Sequence, residues 1–326
     1  MKSNKNMFIL VVAALLVLIL LASTSALIMS GIREDQVQVS VIIDDSSSVR
    51  WASFTAGMEQ AAKDTGIKVK LVSTPRNLTL ADQSQLISEE LSAGADGIIL
   101  QVANSSGTQD MISDISRKAV LVLVDTDADM DVDVEGRSAC IQADNVELGR
   151  ALANEVRIAL GNDLRGRGIG IIAGSQKQNS IIQRLQGFKE NIESSGAEII
   201  WTDNSLLNVS DKISLRQQNT PADILVAMDN AGLEAACEYA LKQQEIPYIF
   251  GEGTSIKVVS YLDDGIITSM VVPNEYYMGY QSVTAVARRH ENRLTPMEDE
   301  TIAFRVVNRE NLFDENNQRI LFPVVQ

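Results

Sequence analysis

The sequence predicts an α/β protein of two doubly wound parallel-sheet lobes, preceded by one N-terminal hydrophobic helix, on three observations. Strand-like and helix-like segments alternate from residue 37 almost to the end, the pattern of parallel strands linked by crossover helices. The strand segments are short continuous apolar runs, such as VLVLV at 120–124 and GIGIIA at 168–173, as expected where both faces of a sheet are covered. The alternation falls into two series of similar length, and 326 residues are long for one core but comfortable for two.

The opening unit is VQVSVIIDDSSSVRW at 37–51. Residues 37–43 form a buried strand that stops at Asp44-Asp45 and three serines. Trp51, Phe54, Met58 and Ala61 or Ala62 then recur at helical spacing, with Ser46 or Ser47 as the N-cap. Strands follow at 67–72, 97–101 and 120–124, with helices at 81–91 and 108–117 between them. A short strand at 139–142 runs into Ala143-Asp144-Asn145, and 147–160 has the small-and-aliphatic spacing of a packed helix. The second series places strands at 168–173, 198–202, 223–228, 248–251 and 266–272, with helices at 181–194, 211–218, 231–243 and 255–262. Pro273-Asn274-Glu275 opens a helix to about His290, and late strands are expected at 301–307 and 320–325.

The N-terminus bears on the compartment. Residues 7–29 are apolar apart from Ser23-Thr24-Ser25, long enough to cross a hydrocarbon core of about 30 Å as a helix. Lys2 and Lys5 precede the run, which puts the remainder outside the cytoplasm. An uncleaved anchor in the cell membrane is favoured over a cleaved secretory signal, because the apolar pattern resumes at Leu27-Ile28-Met29, beyond the small residues at 22–26. With no cysteine nearby, lipid attachment through a thiol is excluded.

Composition removes other classes. A net charge of -15 without any Lys/Arg run speaks against nucleic acid as a partner. Cys140 and Cys237 are too few for a disulfide framework and are expected as buried thiols. A single histidine, His290, nearly excludes imidazole-based catalysis and zinc. Neither a metal nor a cofactor is expected. The alternating acids Asp125, Asp127, Asp129, Asp131 and Asp133 imitate a calcium loop, but Met130 stands where glycine is needed and Gly136 where glutamate is needed. A solvated acidic loop fits better. Gly166, Gly168 and Gly170 precede or lie within a strand instead of following it, so they cannot cradle a phosphate.

What remains is a set of polar strand tips: Asp44-Asp45, Asp125, Asp144-Asn145, Asp229-Asn230 and Glu252. A parallel sheet gathers its ligand at the carboxyl ends of its strands. Carboxylates that accept from paired hydroxyls suit a polyhydroxylated ligand. For any single tip, capping the next helix is the commoner role; convergence of several is what argues for a site. Arg50 and Trp51 begin the first helix, where an indole face can pack on a sugar ring and a guanidinium can donate to hydroxyls. Trp51 serves equally well as the first core residue of its helix, and Arg184 is placed either to reach the cleft or to brace its own helix.

From about residue 37 to about 304 the chain resembles the periplasmic sugar-binding proteins of type I fold, the ribose- and galactose-binding group that serves ABC transporters. The pieces that carry the resemblance, in matching order, are VSVIIDDSSSVRWASFTAGMEQAAKDTG at 39–66, ELSAGADGIIL at 90–100, VLVLVDTD at 120–127, IQADNVELGRALA at 141–153, IIAGSQKQNSIIQRLQGFKENI at 171–192, ILVAMDNAGLEAA at 224–236 and VVPNEYYMGYQSV at 271–283. The resemblance implies two lobes joined by a three-crossover hinge, 37–143 plus 273–302 and 144–272 plus 303–326, closing on one small molecule. It implies ligand positions at Asp44, Ser48, Arg50, Trp51, Asp125, Asp229 and Glu252, to which Asp45, Thr126 and Arg184 are added as neighbours, and a hinge at Asp144, Asn145 and Pro273. Thr126 stands where ribose binders carry arginine, Ile182 where the helix commonly offers arginine and Val271 where glutamine is frequent. These departures leave an acidic site with Arg50 as its main cation. They admit an amino sugar or another cationic ligand beside the neutral sugar that is expected first.

The expected function is that of an extracytoplasmic solute-binding protein, tethered by its N-terminal helix, that captures a sugar-like molecule for an ABC-type sugar transporter and performs no chemistry. The alternative is a membrane-tethered sensor whose closed form is read by a receptor such as a histidine kinase. A transcription regulator of this fold needs a DNA-reading helix pair where this chain has its apolar span. An enzyme is the least supported class, since no nucleophile–base pair is evident.

Overall fold

The computed structural model describes residues 16–17, 36–129 and 136–322. The residues from Val37 onward form one compact unit. Of the apolar run expected as an anchor, only Leu16 and Val17 are described, and they are helical; the rest lies outside the described residues. Among the described residues no helix is long and apolar enough to cross a membrane.

Two six-stranded sheets form the frame. The first holds β1 (Gln38–Ile42), β2 (Lys68–Leu71), β3 (Gly97–Leu100), β4 (Val120–Val124), β5 (Ser138–Ala143) and β11 (Glu300–Ile302), in the order β11-β5-β4-β3-β1-β2. All its pairings are parallel. The second holds β6 (Gly168–Ile172), β7 (Glu198–Asp203), β8 (Ile224–Ala227), β9 (Tyr248–Glu252), β10 (Ser269–Pro273) and β12 (Phe304–Asn308), in the order β12-β10-β9-β8-β6-β7. Only β12 runs antiparallel. Central strands such as β3 and β8 are buried along their whole length, which is why they read as unbroken apolar runs. The chain passes between the sheets three times: after β5, after β10 and between β11 and β12. The second and third passages touch, where the Asn274 N–H donates to the Ala303 carbonyl at 3.0 Å.

Helices α1 (Ala52–Thr65), α2 (Leu80–Ser92) and α3 (Gln109–Lys118) belong to the first series. Helices α4 (Asn145–Leu160), α5 (Asn179–Ile192), α6 (Val209–Asn219), α7 (Asn230–Ala240) and α8 (Ile256–Asp263) follow in the second, and α9 (Glu275–Glu291) and α10 (Glu315–Leu321) close the chain. Two helix pairs pack at backbone contact. In the first lobe α1 meets α9, where a Cβ on Gly57 would overlap the Tyr276 carbonyl and one on Gly279 the Phe54 carbonyl. In the second lobe α4 meets α5 in the same way, through Gly149 against Arg184 and Gly187 against Val146.

Several expectations need correction. The first helix is capped not by Ser46 or Ser47 but by Ser48, whose Oγ accepts from the Arg50 N–H at the start of a 3-10 turn, Val49–Trp51, that leads into α1. Ser46 is instead engaged with Thr74, its N–H donating to Oγ1 at 3.1 Å and its Oγ accepting from the Thr74 N–H at 2.9 Å. The single strand expected at 301–307 is two strands in different sheets, because the chain changes lobes at Ala303. The strand expected at 266–272 begins only at Ser269, since the N–H groups of Ile266 and Ile267 both turn back to the Tyr261 carbonyl. Of the strand expected at 320–325, Ile320 and Leu321 are the end of α10 and pack on the second lobe's core, while 323–326 lie outside the described residues. Cys237 is buried, but Cys140 is only half-buried, on the less covered face of β5; both thiols are free.

Candidate functional site

A cavity of about 540 Å³ lies between the two series of strand tips. Asp44, Asp45, Ser48, Arg50, Trp51 and Gln101 line it from the first lobe, and Gly174, Lys177, Gln178, Leu206, Asp229 and Asn230 from the second. A more open groove of about 570 Å³ runs along α1 and β2, but none of the strand-tip carboxylates lines it.

At the β1 tip most polar groups hold the loop. The Asp44 carboxylate accepts from the Leu78 N–H at 2.7 Å, its N–H donates to Gln101 Oε1 at 3.1 Å, and its carbonyl accepts from the Trp51 indole at 2.9 Å. Asp45, at φ 45°, pairs with Arg76 at 3.1 Å. Trp51 is 2 % exposed and meets Phe54 edge-on at 5.5 Å, so it is a core residue whose rim reaches the cavity. The Arg50 guanidinium lies over its ring at 4.3 Å.

Arg50 connects the tips. It donates through Nη2 to Asp125 at 3.0 Å and lies 3.7 Å from Glu275 through Nε. Asp125 takes a left-handed φ of 65° after β4 and also accepts from Gln101 Nε2 at 2.6 Å. Burial disfavours the Arg50 charge, but Asp125, Glu275 and Glu252 outweigh it and raise its pKa above the ordinary value.

The second lobe contributes a buried ion pair. Arg184, 3 % exposed on α5, donates to Glu252 at 3.0 Å, to Asn145 Oδ1 at 2.8 Å and to the Met228 carbonyl. The glycine contacts between α4 and α5 bring Asn145 and Arg184 this close. Burial raises the Glu252 pKa, against the pull of Arg184 and Arg50. Asp229 caps α7, accepting from the Gly232 N–H at 2.6 Å, and still lines the cavity. Arg184 thus braces its helix from behind the cavity, whose wall carries Arg50, Arg76 and Lys177.

Thr126 is engaged across the cleft. It is fully buried, and its Oγ1 accepts from the Ser180 N–H of the opposite lobe at 3.1 Å. Beside it the Ser105 Oγ accepts from the Asn179 N–H at 2.9 Å, and the Ser105 N–H donates to the Lys177 carbonyl at 2.8 Å. Gln178 Nε2 donates to the Val102 carbonyl at 3.1 Å, and Asn179 Nδ2 to Asp129 at 2.9 Å. Helix α5 has no cap of its own; two of its first N–H groups are capped across the cleft by hydroxyls of the other lobe. Of the expected hinge residues, Asp144 caps α4 through the Glu147 N–H at 2.9 Å, Asn145 is buried against Arg184, and Pro273 ends β10 opposite Phe304.

Sequence reasoning missed Gln101, Ser105, Thr254 and Glu275. Glu275 is 2 % exposed at the first turn of α9, where its position after Pro273-Asn274 marked only a helix start. Burial pushes its carboxyl up to about 8, with Arg50 drawing it down and Glu252 and Asp125 pushing it back up. Among the described residues no group of His, Cys, Asp and Glu is placed to hold a metal ion.

Comparison with known proteins agrees with this architecture. The curated ABC transporter periplasmic-binding protein YphF of Escherichia coli is 21 % identical over 251 residues, covering 73 % of this chain and 75 % of that protein. A carbohydrate transporter solute-binding protein from Agrobacterium radiobacter, solved with D-arabinose, superposes with a TM-score of 0.80 at 16 % identity, covering 88 % of this chain and 99 % of that one. The XylFII–LytSN complex includes a chain with a TM-score of 0.73 at 21 % identity, with 84 % and 98 % covered. At such identities the solved structures speak for the fold alone. The family model described as the periplasmic binding protein domain matches residues 39–292, most of the described unit, and this chain belongs to that family.

Proposed function

We propose that the protein is an extracytoplasmic solute-binding protein that captures a sugar-like small molecule between its lobes and delivers it to an ABC-type sugar transporter. The observation that carries this is the cavity between the strand tips, walled by Arg50 and Trp51 on one side and Asp229 on the other, with Asp125, Glu252 and Arg184 behind it. Carboxylates and guanidinia mixed around an indole edge suit a ring bearing several hydroxyls. The D-arabinose complex of a protein of the same fold supports the ligand class. In this proposal the lobes are 37–143 plus 273–302 and 144–272 plus 303–326, Asp144, Asn145 and Pro273 belong to the hinge, and residues 7–29 tether the protein. Thr126 serves the contact between lobes instead of the ligand. The purified protein, heated with a panel of neutral sugars and polyols, is expected to be stabilised by at least one of them, by about 2.7 kcal/mol at a hundredfold excess over Kd. A panel with no shift overturns the proposal.

A second role, presentation of the closed form to a membrane receptor such as a histidine kinase, is favoured by the likeness to XylFII in its complex with LytSN. Adjacent genes for a permease and an ATPase support transport; an adjacent sensor kinase supports sensing.

A further inference from the structure

Buried side-chain atoms without a partner around the cleft include Arg184 Nε, Ser180 Oγ and Asp127 Oδ1, and a further group of them meets at Glu275. Arg50 Nε and Glu275 Oε2 are buried side-chain atoms without a well-formed hydrogen bond, and the Thr254 hydroxyl lies against the Glu275 carboxyl, whose ionised form it favours. Arg50 Nε lies 3.7 Å from the other oxygen of Glu275, and the Thr254 hydroxyl lies beside the same carboxyl. Glu275 sits directly after the passage between lobes at Asn274, so both lobes face it: Arg50 and Asp125 from the first, Glu252 and Thr254 from the second. Arg50 lines the cavity, while Glu275 and Thr254 are buried behind it and do not, so Arg50 is the link between the open space and these groups. Unpaired buried polar atoms are rare in native folds and call for an explanation.

We propose that Glu275, with Arg50 and Thr254, forms the inner contact of the ligand site and receives a hydroxyl group of a neutral polyol. The proposal rests on the cleft being the ligand site and adds the chemical class it selects. Arg50 Nε can only donate, while an ionised Glu275 oxygen can only accept. A hydroxyl meets both needs with one oxygen, accepting from Arg50 and donating to Glu275. An ammonium only donates, leaving Arg50 Nε unpaired and placing a second cation beside the guanidinium. A carboxylate or phosphate only accepts, and would face the carboxyls of Asp125, Glu252 and Glu275. The pocket therefore selects against both charged classes, including the amino sugar that the sequence admitted.

The same geometry makes binding proton-linked. Without a ligand, burial beside Glu252 and Asp125, only partly countered by Arg50, keeps a proton on Glu275 up to about pH 8. A hydroxyl that donates to Glu275 favours the ionised form, so binding releases that proton to the buffer. Affinity then rises with pH below about 8 and levels off above it. Glu252, whose carboxyl pKa burial also raises, is held by Arg184 at 3.0 Å.

The test is isothermal titration of the full chain with D-arabinose and a panel of neutral pentoses and hexoses, with D-glucosamine as the cationic control. It is run from below to above pH 8 in buffers of different ionisation enthalpy. For a neutral sugar that binds, the expected result is proton release and a rise of up to about tenfold in affinity per pH unit on the acid side. Glu275→Gln is expected to abolish both and to bind about tenfold more weakly above pH 8, with Thr254→Val weakening binding and moving the pH profile upward, since the Thr254 hydroxyl favours the ionised carboxyl. Thermal melts establish that each variant folds. Wild-type affinity and pH profile in Glu275→Gln overturn the assignment of Glu275 and leave the sugar-binding function standing. Tighter binding of D-glucosamine than of any neutral sugar overturns the hydroxyl class, and a panel in which nothing binds overturns the sugar-binding function itself.

Discussion

Arg184 and Glu252 show how little freedom a buried charge leaves its neighbours. Both are almost fully buried, and the pair is held by Asn145 and the Met228 carbonyl as well as by its own contact. Replacing such a pair with apolar groups is often neutral, whereas removing one partner strands the other charge. Glu252→Gln is therefore expected to cost about 3–5 kcal/mol of stability in urea unfolding, because the buried guanidinium cannot shed its charge, with Arg184→Met costing less because Glu252, whose pKa burial already raises, can take up a proton. Glu275 predicts a pH effect of definite sign. Its folded carboxyl titrates at about 8 against an ordinary 4.5, so the folded state holds the proton more tightly than the unfolded chain. The contribution is complete below the unfolded value and is lost as pH rises through that interval. The melting temperature, followed across it, is expected to fall with pH, and Glu275→Gln is expected to flatten that fall.

Two features of the helices position the residues around the cavity. The first is the start of α5, where Ser105 and Thr126 of the opposite lobe supply the cap that Gln178 does not. Each such hydrogen bond contributes about 0.5–1.5 kcal/mol, comparable to what separates open from closed forms in a two-state hinge. The double variant Ser105→Ala, Thr126→Val is expected to open the cleft, read as a larger radius of gyration by small-angle scattering, with circular dichroism unchanged. An unchanged radius shows that the remaining contacts at Val102 and Asp129 suffice. The second feature is the pair of glycine crossings. Gly187→Ala would drive a methyl group into the Val146 carbonyl, an overpacking worth about 1–3 kcal/mol. It would also move the helix that carries Arg184, so that lower stability and weaker sugar binding are expected together in melting and titration experiments.

At the scale of the whole molecule, both series of strands and helices and their division into two groups were legible from residue types. Covered parallel strands are apolar throughout, and their tips are not. The match is closest at β4, whose five residues VLVLV are those expected, and weakest where one local pattern serves two outcomes. Residues 301–307 look like one strand because their pattern is continuous; Ala303 becomes a passage between lobes only because β5 and β10 each offer a free edge. Ile320 and Leu321 are apolar in strand or helix alike, and the second lobe's core takes them as helix. Around the cavity, Asp44, Asp125, Asp229 and Glu252 were visible as polar ends of apolar runs and Arg50 as the start of a helix, but Glu275 was not, since a glutamate after Pro-Asn is what any helix start shows. The sequence by itself determined the alternating α/β pattern and which residues end the strands, because period and capping are local properties of the chain. Only the tertiary structure decided that Arg50 pairs with Asp125 75 residues away, that Thr126 accepts from the Ser180 N–H and that Glu275 is buried among Arg50, Asp125 and Glu252. Each depends on which elements the chain crossings bring together, and that is a property of the whole fold instead of any segment.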